Sequence, residues 1–154
     1  MTTRRPATVD DTGFLWLVQR QALGNYVSAQ FGITEVQQRV YFDEHFSVTN
    51  QSIVMLGNEK IGLLSYENRS DHVYLANVAI LPAHQSQGIG TQLVAGVLEQ
   101  AAARGMPVRL QVLKSNVRAQ MLYLRLGFDK TGESDNNVLM SWNGGANESE
   151  APAR

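Results

Sequence analysis

The chain has no cysteine. That excludes disulfide scaffolds, thiolate zinc sites and cysteine nucleophiles together. It has no excess of either charge: 13 basic and 14 acidic residues leave a formal net charge of −1. A dedicated nucleic-acid binder normally shows a basic excess, so nucleic acid is not an expected partner. No stretch approaches the ~18 uninterrupted apolar residues of a membrane span, and no membrane partner is expected. Behind Arg4 and Arg5 there is no apolar segment of a secretion signal; Asp10 and Asp11 follow instead. Together these absences lead us to expect a cytoplasmic protein. No internal repeat is visible.

What is present is an ordinary globular composition, 44% hydrophobic and 18% charged over 154 residues. Such a length fits one domain, which buries roughly 68–70% of its unfolded surface. Residues 1–143 are read as that domain. Residues 144–154, without large apolar side chains, are read as a disordered tail.

Periodicity suggests the element order. A short strand covers residues 3–7. Asp10 or Asp11 can cap a helix with Phe14, Leu15, Leu17, Val18 and Ala22 as its stripe, ending at Gly24. Residues 25–32 read as a loop. Thr34 caps a second helix with Val36, Val40 and Tyr41 as its inner face. Strands follow at 52–56, 60–66 and 72–81, joined by tight turns and stopped by Pro82. A helix from Gly90 buries Leu93, Val94, Val97, Leu98, Ala101 and Ala102, and stops at Gly105. A strand through Val112 requires a parallel crossover. A helix over 116–126 and strands at 128–132 and 137–142 complete β-αα-βββ-α-β-α-ββ, an α/β domain on one mixed sheet.

The stretch from Leu81 to Thr91 leaves a strand and opens a helix. Unpaired amides at a helix N-terminus, beside Gly88 and Gly90, make a ready phosphate site. A P-loop fails here for want of a Lys. A dinucleotide fingerprint fails because its third glycine position is Leu93. A plain tight turn remains the competing reading.

A second motif weighs against that plain turn. Gln85-x-x-Gly88-x-Gly90 resembles the acetyl-CoA pyrophosphate loop of the GNAT superfamily of N-acetyltransferases. Asn116-x-x-Ala119-x-x-x-Tyr123-x-x-x-Gly127-Phe128 resembles that superfamily's second hallmark. The two stand in the family's order on a matching element string, over roughly residues 3–142.

The resemblance implies the acyl-CoA N-acyltransferase fold: a single mixed, mostly antiparallel sheet, splayed central parallel strands and flanking helices. It implies acetyl-CoA as cosubstrate and no metal. Pantetheine would bond the freed backbone of Val78, Ala79, Ile80 and Leu81, and the pyrophosphate would rest on the amides of Gln85, Ser86, Gln87, Gly88, Ile89, Gly90 and Thr91. Asn116 would touch the pantetheine arm, or simply cap its helix. Ala119 would leave room for the cofactor, or simply pack. Tyr123 would protonate or hydrogen-bond the departing thiolate, or be a core tyrosine. Two departures stand out: Ser86 where the family often has Gly, and neutral Gln85 and Gln87 where it often has Arg or Lys. Lys114 and Arg118, at the start of the next helix, are cations that could serve the phosphates.

The implied chemistry is direct attack of an amine on the thioester, with an oxyanion held by a backbone N–H near Ile80. The amine must lose a proton, and the sequence does not identify the base. Glu35 follows a segment resembling a diverged aromatic-Gly-x-Asp-Glu run of one subgroup; it could be base or anchor, or an exposed helix-start carboxylate. Asn77, polar within an apolar strand, could position a water or the acceptor, or be a satisfied core amide. Tyr26 and Phe31 could line an acceptor pocket. The expected acceptor is a small-molecule amine or a peptide amino terminus. A non-catalytic acyl-CoA-binding or sensing domain stays open as the alternative. Homodimers are common in the family, though nothing in the sequence demands one.

Overall fold

The computed structural model describes residues 1–144. The rest of the segment read as a tail, residues 145–154, lies outside the described residues. The element order is β1 (Thr2–Pro6), α1 (Thr12–Phe31), α2 (Glu35–His45), β2 (Gln51–Leu56), β3 (Glu59–Asn68), β4 (Val73–Ile80), α3 (Ile89–Ala103), β5 (Val108–Leu113), α4 (Val117–Arg125), β6 (Asp129–Glu133) and β7 (Asn137–Trp142). Short 3-10 turns precede α1 and follow β4. The strands form one seven-stranded mixed sheet in the order β1-β2-β3-β4-β5-β7-β6, with flanking helices. By contact density the chain divides into two compact units. One is Met1–Ser65 with Asn77–Gly90; the other is Tyr66–Ala76 with the residues from Thr91 onward.

In the first unit β1 pairs antiparallel with β2, and β2 with β3. The anticipated helix cap at Asp11 turns out to be a charge hub. Its carboxylate makes no side-chain cap bond to α1. It accepts two bonds from the Arg5 guanidinium and one from Lys60, each at 2.9 Å, and one from the Thr8 amide. Asp11 is only 2% exposed. A buried carboxylate is tolerable only when paired and hydrogen-bonded, and here cations from β1 and β3 meet it at the foot of α1.

Two expectations about the helices are corrected. The first helix does not stop at Gly24, and residues 25–31 are helix rather than loop. Gly24 is only a weak breaker. Its carbonyl accepts from Gln38 on α2, which also bonds Ser28. The stop is Gly32, at φ +67. The second correction concerns α2. Thr34 caps it as expected, accepting from the Gln37 amide. Its inner face, however, is built on Phe42, while Val36, Val40 and Tyr41 are exposed. Phe42 joins Leu15, Val18, Ile53, Leu63 and Ala79 in one apolar cluster, so tertiary packing has chosen the aromatic over the β-branched stripe.

The end of β4 belongs to this unit and is held close to β3. A Cβ added at Gly62 would lie 2.5 Å from the Ala79 carbonyl oxygen, so only glycine allows the approach. Two residues on, the Leu81 amide donates to the Ile61 carbonyl at 2.8 Å.

In the second unit β4 pairs in parallel with β5, from Val73↔Val108 to Leu75↔Leu110. β5 pairs antiparallel with β7, and β7 with β6. Helix α3 buries Leu93, Val94, Val97, Leu98 and Ala101, as its period requires; Ala102 is exposed. The Tyr66 hydroxyl donates to Gln100 on α3. Gly127, at φ +98, ends the turn after α4, and Phe128 is fully buried.

The hub gives a stability test. Arg5, followed by Thr8 and Lys60, holds the Asp11 carboxyl well below the usual carboxylate range, against its burial. A lowered folded-state value means the contribution is complete above the unfolded pKa of ~3.9 and is lost as pH falls below it. Asp11→Asn is expected to cost about 2–4 kcal/mol at neutral pH, because Arg5 and Lys60 can partly turn to water. Thermal melts at pH 7, 5 and 3 should show the gap between wild type and variant narrowing at the lowest pH.

Candidate functional site

The richest part of the first unit runs from the end of β4 into α3. After β4, Pro82 opens a 3-10 turn of three residues. Ser86 then takes a left-handed conformation at φ +63, and Gly88 another at φ +80. A left-handed non-glycine residue costs about 1–2 kcal/mol, so Ser86 holds a backbone conformation that favours glycine. The two glycines of the turn do different work. Gly88 supplies backbone that L-residues avoid. Gly90 has an ordinary φ, and a Cβ built there meets nothing within 4 Å. Gly90 is therefore not needed for the turn or for packing; it leaves space beside the first amides of α3. Those amides have no partner within the helix and lie at its positive end.

The Gln85 side chain is turned inward. Its amide Nε2 donates to the Ile80 carbonyl at 2.8 Å. Of the backbone groups expected to meet a pantetheine arm, three are engaged: the Ile80 carbonyl by Gln85, the Leu81 amide by Ile61 and the Leu81 carbonyl by the His84 amide. Strand groups alternate direction, so with Leu81 facing β3 the groups of Ile80 and Val78 face away from it. Ala79 and Ile80 are buried, whereas Gln87 and Thr91 are exposed.

Asn77 is half-buried and donates to Gln19 Oε1 on α1 at 3.4 Å. Sequence reasoning missed Gln19, and 58 residues of separation left no local signal for it. Glu35 opens α2, 65% exposed, with its carboxylate 3.6 Å from Arg20. The structure therefore joins Asn77 to Gln19 and Glu35 to Arg20. His84 faces Glu59 at 3.4 Å. Tyr26 is half-buried and Phe31 exposed.

In the second unit the second motif forms one local cluster. Buried Asn116 caps α4, its Oδ1 accepting from the Ala119 amide at 3.1 Å. Gln120, also missed by the sequence reading, donates to the carbonyls of Leu113 and Lys114 and ties the end of β5 to the helix. Ala119 is half-buried, one turn before Tyr123. Tyr123 is 7% exposed and packs tilted against Phe128, centroids 5.5 Å apart. Burial pushes its phenol up to about 12. Lys114 lies 3.6 Å from Glu133, so this cation is already paired.

Comparisons with known proteins give the family and the fold. Residues 17–128 match the model of the Acetyltransferase (GNAT) family. The chain is 39% identical over 83 residues to a ribosomal protein bS18-alanine N-acetyltransferase of Haemophilus ducreyi, covering 46% of this chain and 57% of that one. It is 36% identical over 76 residues to a thialysine N-epsilon-acetyltransferase of Mus musculus, covering 49% and 45%. The chain spans about half the length of the curated relatives it matches. Among solved structures, the PaiA N-acetyltransferase of Thermoplasma acidophilum in complex with coenzyme A superposes with a TM-score of 0.78 at 16% identity, covering 93% and 99%. The ribosomal-protein-S18-alanine N-acetyltransferase of Escherichia coli gives 0.64 at 20% identity, covering 92% and 93%. At these identities the structures speak for the fold. Among the described residues no helix is long and apolar enough to cross a membrane.

The contrast between the glycines is testable by folding alone. Gly90→Leu is expected to melt no lower than wild type, since it meets open space and improves helix propensity. Gly88→Leu is expected to lose about 1–2 kcal/mol to its left-handed φ. Thermal denaturation of both variants checks the pair.

Proposed function

The chain belongs to the Acetyltransferase (GNAT) family, and from that premise we propose that it transfers an acetyl group from acetyl-CoA to a primary amine by direct attack. The observation that carries this reading is the turn at residues 85–91. It combines a left-handed backbone, helix-start amides and two glycines, 88 and 90, at which no side chain covers the backbone. The residues fit a diphosphate, with amides from Gln87 into the start of α3 as donors; the Gln85 amide instead bonds the Pro82 carbonyl at 3.2 Å. No Lys or Arg lies in the turn, so binding there rests on backbone rather than charge.

Bound acetyl-CoA supplies an activated acetyl thioester. Val78, with the Ile80 N–H, offers backbone on the side of β4 away from β3, suited to pantetheine and to a developing oxyanion. On α4, Asn116 and Ala119 are the residues assigned to the pantetheine arm in this reading. Tyr123, raised to about 12, keeps its proton at neutral pH and presents an O–H donor. A donor that keeps its proton is suited to hydrogen-bond the leaving sulfur as charge develops on it. On the acceptor side, Asn77 with Gln19 can orient the amine or a water. Neither amide can take a proton, so the ammonium proton leaves through water. Glu35 is a solvent-facing charge able to attract a cationic acceptor.

The acceptor is a small-molecule amine or a peptide amino terminus. Both occur among the relatives: one is named for the alanine of a ribosomal protein, the other for thialysine.

A thermal-shift comparison tests the cofactor. Coenzyme A at about a hundred times its Kd should stabilise by about 2.7 kcal/mol, or roughly 5–10 °C at this chain length. NAD and ATP should not match it. Gly90→Leu should abolish the coenzyme A shift while keeping its own melting point. Absence of any shift with coenzyme A in the wild type would overturn the reading. Tyr123→Phe should lower kcat at least tenfold with coenzyme A affinity within twofold; unchanged turnover would make Tyr123 a packing residue.

A further inference from the structure

We propose that Gln85 is a positioning residue that fixes the last peptide of β4, rather than a contact to the cofactor's phosphates. The functional part of this inference rests on the acetyl-transfer reading above. The peptide unit joining Ile80 to Leu81 is held at both ends. Its N–H donates to the Ile61 carbonyl on β3 at 2.8 Å. Its carbonyl accepts from Gln85 Nε2, also at 2.8 Å. Both distances are short for amide bonds. They form one chain, from Gln85 through the peptide to β3, in which each bond polarises the next.

The position of this peptide explains the need for two holds. The adjoining amide, Ile80 N–H, is the oxyanion donor proposed above, and a donor misplaced by an ångström loses much of its value. β3 alone grips only the Leu81 end. At Gly62 the approach of β3 to β4 is already as close as a glycine allows, so β3 can supply register but not rotation about the strand. The side chain from the turn supplies the second point. It also couples the phosphate-binding turn to the strand end, because Gln85 lies one residue before the left-handed Ser86. Placing Gln85 Nε2 on a carbonyl directs that amide into the protein framework instead of toward an anion. A neutral amide suffices for this task, which gives a physical reason for a glutamine at this position.

The discriminating variants are Gln85→Glu, the same size but without the donor, and Gln85→Arg, which keeps N–H groups of similar reach. Two donors separate the roles: acetyl-CoA, and S-acetylpantetheine, which lacks the nucleotide and its phosphates. With peptide amino termini as acceptors, Gln85→Glu should lower kcat at least tenfold with both donors and by the same factor. Gln85→Arg should restore it to within threefold. A rise in KM for acetyl-CoA alone, with S-acetylpantetheine unaffected, would make Gln85 a phosphate contact and overturn the proposal. If the wild type transfers acetyl to no acceptor, the transfer reading fails by itself. Hydrogen exchange of the Leu81 amide then decides about the clamp. At least tenfold faster exchange in Gln85→Glu, reversed in Gln85→Arg, supports it; exchange equal to wild type in both overturns it.

Discussion

The candidate site depends on how closely two strands can approach at Gly62. With any side chain there, the Ala79 carbonyl would have to withdraw from β3, and residues 79–81 would lose their register. That register places the Leu81 amide on Ile61 and turns the groups of Ile80 to the opposite side. The turn then starts from a fixed strand end, and Gln85 reaches back to it. A single missing methyl group thus precedes everything proposed about cofactor and oxyanion. Interiors are packed tightly enough that this cannot be absorbed by slack.

Much of the fold was legible in the residues. The strands, the α3 stripe and the helix starts at Thr34 and Asn116 fall where period and caps place them. These are local signals, with the donor and acceptor a few residues apart. The failures have long-range causes. Gly24 reads as a stop, but Gln38 on α2 bonds its carbonyl and the helix continues. Val36, Val40 and Tyr41 read as an inner face, but the apolar cluster had room for Phe42 instead. Asp11 reads as a cap, but cations from two strands claim it. In the site, the second motif was legible because it lies within one helix and its flanks. Gln19 was not, because nothing near it in the chain points to Asn77.

The neutral turn changes in meaning once its backbone is seen. From composition it was a phosphate loop lacking its cations. Structurally the proposed phosphate turn offers main-chain groups: left-handed residues at 86 and 88, a bare backbone at 90, and amides at the start of α3. Such a site recognises shape and hydrogen-bond direction more than charge, so salt should screen it little. The cations nearby in sequence are no reserve of charge, at least at Lys114, which already serves Glu133.

Asp11 has one further consequence. The other buried polar residues among those described are Ser65, Asn116 and Ser141, all neutral. Buried charge is therefore confined to the unit that carries β1, β2 and α1. Acidic groups of the other unit, such as Asp71 and Glu133, are exposed, and their pairs weigh little. A proton thereby becomes a reagent with an address: it acts on the buried interior of one compact unit through a single carboxylate, and reaches the other only at exposed pairs such as Glu133 with Lys130.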